Sequence, residues 1–281
     1  VNAPLRIELP PRHRTLFLSD IHLGSRNCHA RELAAFLTQV RVDRLYLVGD
    51  IFDLWWMAER RAVWQHAHTA VLERLHALRR DGAEIYYIPG NHDRPIRKFV
   101  GLALPRMAIR RRMVHETADG RRLLVTHGDE HDAVTQLGGL HDWLGDKLYE
   151  AILTGNRLAN RARRALGKRY WSLADFVKRQ SGAAERYIER FVQASLADAC
   201  RRSLDGVVCG HIHRPALIER DGIVYANDGD WVESLSAIAE AQDGTLSQLR
   251  WTGGHVEVVR QIAPRARAIP STAIEPQREA A

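Results

Sequence analysis

His, Asp and Asn recur in this 281-residue chain in short blocks, each directly behind an apolar run. Asp20 and His22 follow RTLFLS, Asp50 follows RLYLVG, and Asn91, His92 and Asp93 follow IYYIPG. His127 and Asp129 follow RLLVT, and His211 and His213 follow GVVCG. Singly, each block reads as an ordinary turn, since Gly, Asn and Asp are common turn residues. Five together read differently, because imidazole, carboxylate and amide donors then stand at one strand end after another. No GxSxG nucleophile elbow is present, and the polar residues are too many for a simple acid and base pair. Seven ligating side chains drawn from these blocks would exceed what one ion needs. Mixed nitrogen and oxygen donors suit divalent Mn, Fe, Zn, Ni or Co. Two ions about 3.5–4 Å apart and sharing a carboxylate would activate water between them and clamp phosphoryl oxygens. The chemistry expected is hydrolysis without a protein nucleophile.

Such a set needs a scaffold that brings distant strand ends together. Six runs, RTLFLSD, VDRLYLVGD, AEIYYIPGNHD, RRLLVTHGD, LDGVVCGHIH and GIVYANDGDW, read as strands of about five residues. They are too continuously apolar for a sheet with one wet face. Helical spacing appears between them, in ARELAAFLTQV and in a longer pattern from Val63 through Leu78 that Gly82 would stop. Strands alternating with helices predict an α/β fold. In such folds the loops beyond the carboxyl ends of strands gather the site. From about Val134 to Leu204 the pattern is helical without a strand, and it is rich in Arg and Lys, including Lys178 and Arg179. That predicts a helical insert. From residue 263 to 281 the Pro, Ala and charged composition predicts a disordered tail.

Composition narrows the setting. The chain is 45% hydrophobic, with a net charge of +7 that suits anionic partners. Three cysteines without a CxxC pair suggest neither a disulfide framework nor a thiolate zinc site, and a reducing cytoplasm is expected. No leader-like apolar run opens the sequence, and no stretch of eighteen apolar residues predicts a membrane span. No RRM, KH or zinc-finger signature points to nucleic acid.

The order DIH, GDIFD, GNHD, THGD, GHIH closely resembles the calcineurin-like metallophosphoesterase superfamily, whose blocks are D-x-H, G-D-x-x-D/E, G-N-H-D/E, H-G-D and G-H-x-H. The resemblance implies a four-layer α/β/β/α sandwich spanning residues 1–262, with the helical insert at about 134–204 as a lid. It implies two divalent metal ions, with manganese the leading candidate. Asp20, His22, Asp50 and His213 would hold one ion, and Asp50, Asn91, His127 and His211 the other. His92 would face the phosphate as stabiliser or leaving-group acid, with Asp93 orienting it.

Within the superfamily the sequence is most similar to the UDP-2,3-diacylglucosamine diphosphatase group of lipid A biosynthesis. SDIHLG, GDIFDLWW, the insert before the last histidines, and GHIHRP followed by NDGDWVES carry that similarity. It implies cleavage of a nucleotide diphospholipid to UMP and 2,3-diacylglucosamine 1-phosphate. It also implies a cytoplasmic protein peripheral to the inner membrane. Arg94, Lys178 and Arg179 would bind the substrate, and the stripe Leu140, Leu144 and Leu148 beside Trp143 would shelter acyl chains. One departure stands out: that group commonly carries Arg where this chain has His92. Arg supplies a fixed cation, whereas His can deliver a proton to an alkoxide. Two alternatives stay open, a metallophosphodiesterase or phosphatase acting on a nucleotide or nucleic acid, and a non-catalytic module that binds anionic ligands.

Overall fold

The computed structural model describes residues 11–132 and 182–265. All six apolar runs form strands: β1 (Arg12–Leu18), β2 (Arg41–Val48), β3 (Glu84–Ile88), β7 (Arg122–Val125), β8 (Gly206–Cys209) and β10 (Ile223–Asn227). Seven shorter or less apolar strands join them: β4 (Ala103–Leu104), β5 (Met107–Ile109), β6 (Met113–Glu116), β9 (Ala216–Arg220), β11 (Ser236–Glu240), β12 (Leu246–Thr252) and β13 (His255–Ile262). They make two sheets, in the orders β13-β12-β11-β1-β2-β3-β5-β4 and β6-β7-β8-β10-β9. β1, β2, β3 and β5 run parallel in the first sheet, as do β7, β8 and β10 in the second.

Alternation along the central strands sorts side chains into three cores. Leu16 and Leu18 of β1, with Leu45 and Leu47 of β2, pack toward the helices of the first sheet. Phe17, Tyr46 and Val48, on the opposite face, pack between the sheets against Leu123, Val125, Val208, Val224 and Ala226. Leu124, Val207, Cys209 and Tyr225 face outward from the second sheet onto a helix. Three cores make four layers, helix, sheet, sheet, helix, and both faces of each central strand are dry, as the continuous apolar runs predict. Each large side chain buried this way contributes about 1.5–3 kcal/mol.

The helices supply the outer layers. In α1 (Ala30–Thr38), Ala30, Leu33, Phe36 and Leu37 form the buried face. A short α2 (Leu54–Ala58) follows the GDIFD block. In α3 (His66–Arg80), His68, Val71 and Leu75 are buried, and Gly82 ends the segment at a φ of 109°. The helix begins at His66, later than the periodicity from Val63 predicts, because Gln65 closes a capping box in which its own N–H donates to His68 Nδ1 at 3.0 Å. On the far side, α4 (Gly182–Arg201) covers the second sheet with Phe191, Val192 and Ala199. It falls within the helical region predicted at 134–204. The rest of that region, with Lys178, Arg179 and the Leu140, Leu144 and Leu148 stripe, lies outside the described residues, as does the sequence beyond Arg265.

At the amino-terminal ends of the strands, away from the strand-end loops, one buried carboxylate ties the two sheets together. Glu240 of β11 accepts hydrogen bonds from Thr15 Oγ1 at 2.7 Å, Arg14 Nη1 at 2.7 Å, the Ala118 N–H at 2.7 Å and His115 Nε2 of β6 at 2.8 Å. Burial pushes the Glu240 carboxyl up, but His115 and the other donors outweigh it and hold it below the ordinary glutamate value. A lowered folded-state pKa means that the stability from this charge is present above the unfolded value and is lost as pH falls through the folded value. Glu240→Gln is therefore expected to cost roughly 3 kcal/mol at neutral pH, in the range for breaking a buried charge network. It should also flatten the acid dependence of Tm, measured by thermal unfolding from pH 7 down to pH 3. An unchanged acid slope would remove Glu240 from this role.

Candidate metal centre

The parallel strands of both sheets point their carboxyl ends at one place. His127 Nδ1–H donates to Val48 O at 2.8 Å, and the His211 N–H donates to Asp20 Oδ2 at 2.8 Å, so each link joins one sheet to the other. Trp231 N–H, beyond β10, donates to Asp20 O at 3.1 Å. The chain turns sharply to reach these positions. Asp20, His22, Asp50, His211 and His213 have φ values of 48°, 54°, 53°, 71° and 52°, in the left-handed region that non-glycine residues avoid. Such a conformation costs on the order of 1–3 kcal/mol per residue and persists where its surroundings over-determine it.

The side chains form three groups whose potential ligand atoms lie within 4.8 Å of one another: Asp20, His22 and His213; Asp50, His127 and His211; and His22, Asp53 and His92. His127 Nε2 is 3.3 Å from Asp50 Oδ2 and 3.1 Å from Asn91 Oδ1, which brings Asn91 to the second group. All seven predicted ligands thus converge. In the first group, Asp20 Oδ1 lies 3.1 Å from His213 Nε2 and 3.9 Å from His22 Nε2. Asp20 Oδ1 and His22 Nε2 are buried and have no hydrogen-bond partner among the described residues. Buried polar atoms are normally satisfied. An oxygen and a nitrogen left facing each other in a set of imidazoles and carboxylates fit a divalent cation, which would complete both.

Charge follows the same plan. Burial opposes ionisation of the Asp20 carboxyl, but His213 and His127 prevail and lower it to about 2. Burial likewise works against charge on both Asp50 and His127, and their mutual attraction wins. Asp50 is held well below the usual carboxylate value and His127 well above the usual imidazole value. Without a cation, a proton on His127 balances Asp50. A cation that takes Nε2 must displace that proton, so binding and deprotonation are linked.

The GNHD turn departs from its expected wiring. Asp93 is fully buried and turns back into its own loop, where Oδ1 accepts the Gly90 N–H at 2.6 Å, Oδ2 accepts the Ile51 N–H at 3.0 Å, and the Tyr87 hydroxyl donates to it. Asp93 therefore does not orient His92. The carboxylate that meets the ring is Asp53, with His92 Nδ1 3.3 Å from Asp53 Oδ1. Asp53 also faces His22 Nδ1 at 3.7 Å. Burial opposes its ionisation, and His22 and then His92 lower it to about 2. The half-exposed Trp55 covers the His92 ring at a centroid distance of 4.6 Å, and the His92 N–H donates to Asp50 Oδ1 at 2.8 Å.

Several residues at the site carry no role in the motif reading. Asp53 was visible there as the last residue of GDIFD. Ser19 lies behind the first group, its hydroxyl donating to Asp20 and lying 2.6 Å from Asp228 Oδ1. Asp228 belongs to the NDGD block, and burial pushes its carboxyl well up. Asp129 is held at 2.7 and 2.8 Å by Arg97, which ties the HGD loop to the segment after GNHD. Arg94 is exposed immediately after Asp93.

Several known proteins are similar to this chain. The sequence model of the family described as calcineurin-like phosphoesterase matches residues 13–215. A UDP-2,3-diacylglucosamine hydrolase of Xanthomonas campestris pv. campestris is 29% identical over 253 residues, covering 84% of this chain and 98% of that protein. A protein of the same name from Xanthomonas oryzae pv. oryzae is 30% identical over 247 residues, 82% of this chain and 96% of its own. Among solved structures, Yfce, a phosphoesterase from E. coli, is 19% identical, with a TM-score of 0.45 over 89% of this chain and 99% of that one.

Gly90 marks how closely the loops approach. A Cβ there would lie 2.8 Å from the Asp50 backbone nitrogen and 2.8 Å from His127 Cδ2, and would run into the Asp50 carboxylate. Gly90→Ala is expected to push Asp50 and His127 apart and to weaken divalent-cation binding at least about tenfold, the scale on which disturbed ligand positioning acts. Titration calorimetry with Mn²⁺ checks this, and wild-type affinity in the variant would show that the close approach is not needed.

Proposed function

Because the chain belongs to the calcineurin-like phosphoesterase family, and so is a metal-dependent phosphoester hydrolase, we propose that its substrate is UDP-2,3-diacylglucosamine and its products UMP and 2,3-diacylglucosamine 1-phosphate. The observation that carries the substrate is the match, over 84% of this chain and 98% of the relative, to a protein whose name specifies it. The strand-end groups support the reaction class. On this reading Asp20, His22, Asp50 and His213 hold one ion, and Asp50, Asn91, His127 and His211 the second, with manganese the preferred metal. When bound, two such ions supply Lewis acidity at the phosphoryl oxygens and bring the pKa of water toward neutrality.

The chain's own side chains then divide the remaining work. Water attacks the α-phosphorus, and the acylated sugar 1-phosphate leaves. Asp50 holds the strand ends of both sheets in register through His127. Asp53 accepts the Nδ1–H of His92, which leaves Nε2 to act on the phosphate as electrostatic stabiliser or as leaving-group acid. Trp55 covers the other side of that ring and limits its access to water. Arg94, exposed beside the turn, is assigned to the anionic substrate, as are Lys178 and Arg179, which lie outside the described residues. No helix among the described residues is long and apolar enough to cross a membrane, and on this reading a lipid substrate would draw the protein to the cytoplasmic face of one.

One observation favours a second reading. The Asp53 and His92 pair is built to deliver a proton, which an alkoxide leaving group needs and a departing phosphate does not. The alternative substrate is then another phosphodiester or monoester of an alcohol.

Three measurements test these readings. Incubation with UDP-2,3-diacylglucosamine and Mn²⁺ should release UMP; no UMP, with brisk turnover of a generic aryl phosphodiester, would move the assignment to the second reading. Asp50→Ala should lose at least one of the two ions by metal analysis and nearly all turnover, and retained activity would sink the dinuclear centre. His92→Ala should slow alkyl phosphoesters by about 10²-fold or more, the usual scale for a general acid, while sparing activated aryl esters. Equal losses on both classes would rule out proton delivery by His92.

A further inference from the structure

His211 is a predicted ligand of the second group, and a ligating imidazole must present a lone pair in a fixed direction. The structure supplies the means through residues that belong to none of the sequence blocks. Asp132 Oδ2 lies 2.8 Å from His211 Nε2, and Asp132 Oδ1 accepts the Tyr187 hydroxyl at 2.8 Å. An ionised carboxylate can only accept, so Nε2 of His211 carries the hydrogen and Nδ1 keeps the lone pair. With both oxygens engaged, the carboxylate cannot rotate about its own bond. Tyr187 stands on α4, and Phe191, four residues on and so on the same face of the helix, stacks near the His211 ring at a centroid distance of 6.0 Å and a tilt of 35°. Phe191 is fully buried and also meets the edge of His131. His127 closes the ring's other side, 5.1 Å away and nearly perpendicular.

We propose that Asp132, held by Tyr187 of α4, is the positioning residue that fixes the tautomer and plane of His211 for the second cation of the centre. The inference rests on the reading that His211 binds that cation. It goes beyond it by assigning α4, which contributes no ligand, a part in setting metal affinity. The sequence locates this link at both ends of the 133–181 stretch, since Asp132 directly precedes it and Tyr187 follows it by six residues. A shift of α4 is passed through Asp132 to the His211 ring, and so reaches the second ion's site directly.

The test uses the full chain with Asp132→Ala and Tyr187→Phe, and two readouts. Manganese titration of the wild type should show two ions. Asp132→Ala should weaken the second by roughly 10- to 100-fold, the scale measured for outer partners of ligating histidines, and leave the first within twofold. Tyr187→Phe should give a smaller loss in the same ion. Nitrogen NMR of the metal-free protein should show His211 in a single Nε2–H tautomer in the wild type and a mixture in Asp132→Ala. An unchanged tautomer, or equal weakening of both ions, would overturn the proposal, since a general structural defect predicts the latter. Should the wild type bind no divalent ion, the metal reading of His211 fails, and the tautomer measurement still decides what Asp132 does.

Discussion

Everything at this site depends on one buried ion pair that spans two sheets. Asp50 follows β2 of the first sheet, and His127 follows β7 of the second, with Nε2 and Oδ2 3.3 Å apart. Taking both charges out of water costs several kcal/mol each. The surroundings offset that cost with directed hydrogen bonds: Val48 O receives the other side of the imidazole, and the His92 N–H meets the far oxygen of the carboxylate. The pair holds together only if both sheets stop at the same depth. A sandwich with a well-filled middle core, centred on Phe17, Tyr46, Val125 and Val208, sets that depth. Packing thus fixes the distance over which the electrostatics act.

The backbone is arranged to the same end. Five of the seven proposed ligands have left-handed φ values, and they sit in the short loops that follow β1, β2 and β8. Local propensity argues against each of these conformations. They are kept because side chain and backbone are tied across the gap, as when the His211 N–H reaches the Asp20 carboxylate. Glycines at the same turns permit approach, not merely rotation: Gly90 leaves room for Asp50 and His127 together. Residues that would be misfits in an ordinary loop are here tied across the gap between the sheets.

Much of this was legible in the residues. The six apolar runs were long enough to read as strands, and the recurrence of Asp, His and Asn behind them located the site at the carboxyl edge. The meander β11–β13 was not, because its exposed outer strand alternates weakly and its turns look like loop composition. The capped start of α3 was hidden in an unusual Gln and His pairing at Gln65. Asp93 misled because adjacency in sequence suggested contact with His92. Asp93 instead satisfies buried N–H groups, and Asp53, 39 residues before His92, reaches the ring. Asp132 and Tyr187 left no signature at all, since a carboxylate and a phenol on separate elements acquire meaning only when the fold brings them to one histidine.

The strict alternation of β1, β2, β7, β8 and β10 between two dry faces has one more consequence. Neither face of these strands is free to meet solvent, so a slip of one residue would exchange two cores at once and carry the polar strand end to the wrong side. The spacing of the reactive groups is therefore quantised by the pleat. Molecules with a misaligned strand lie a full register away from competence, and turnover in a preparation counts the correctly threaded fraction.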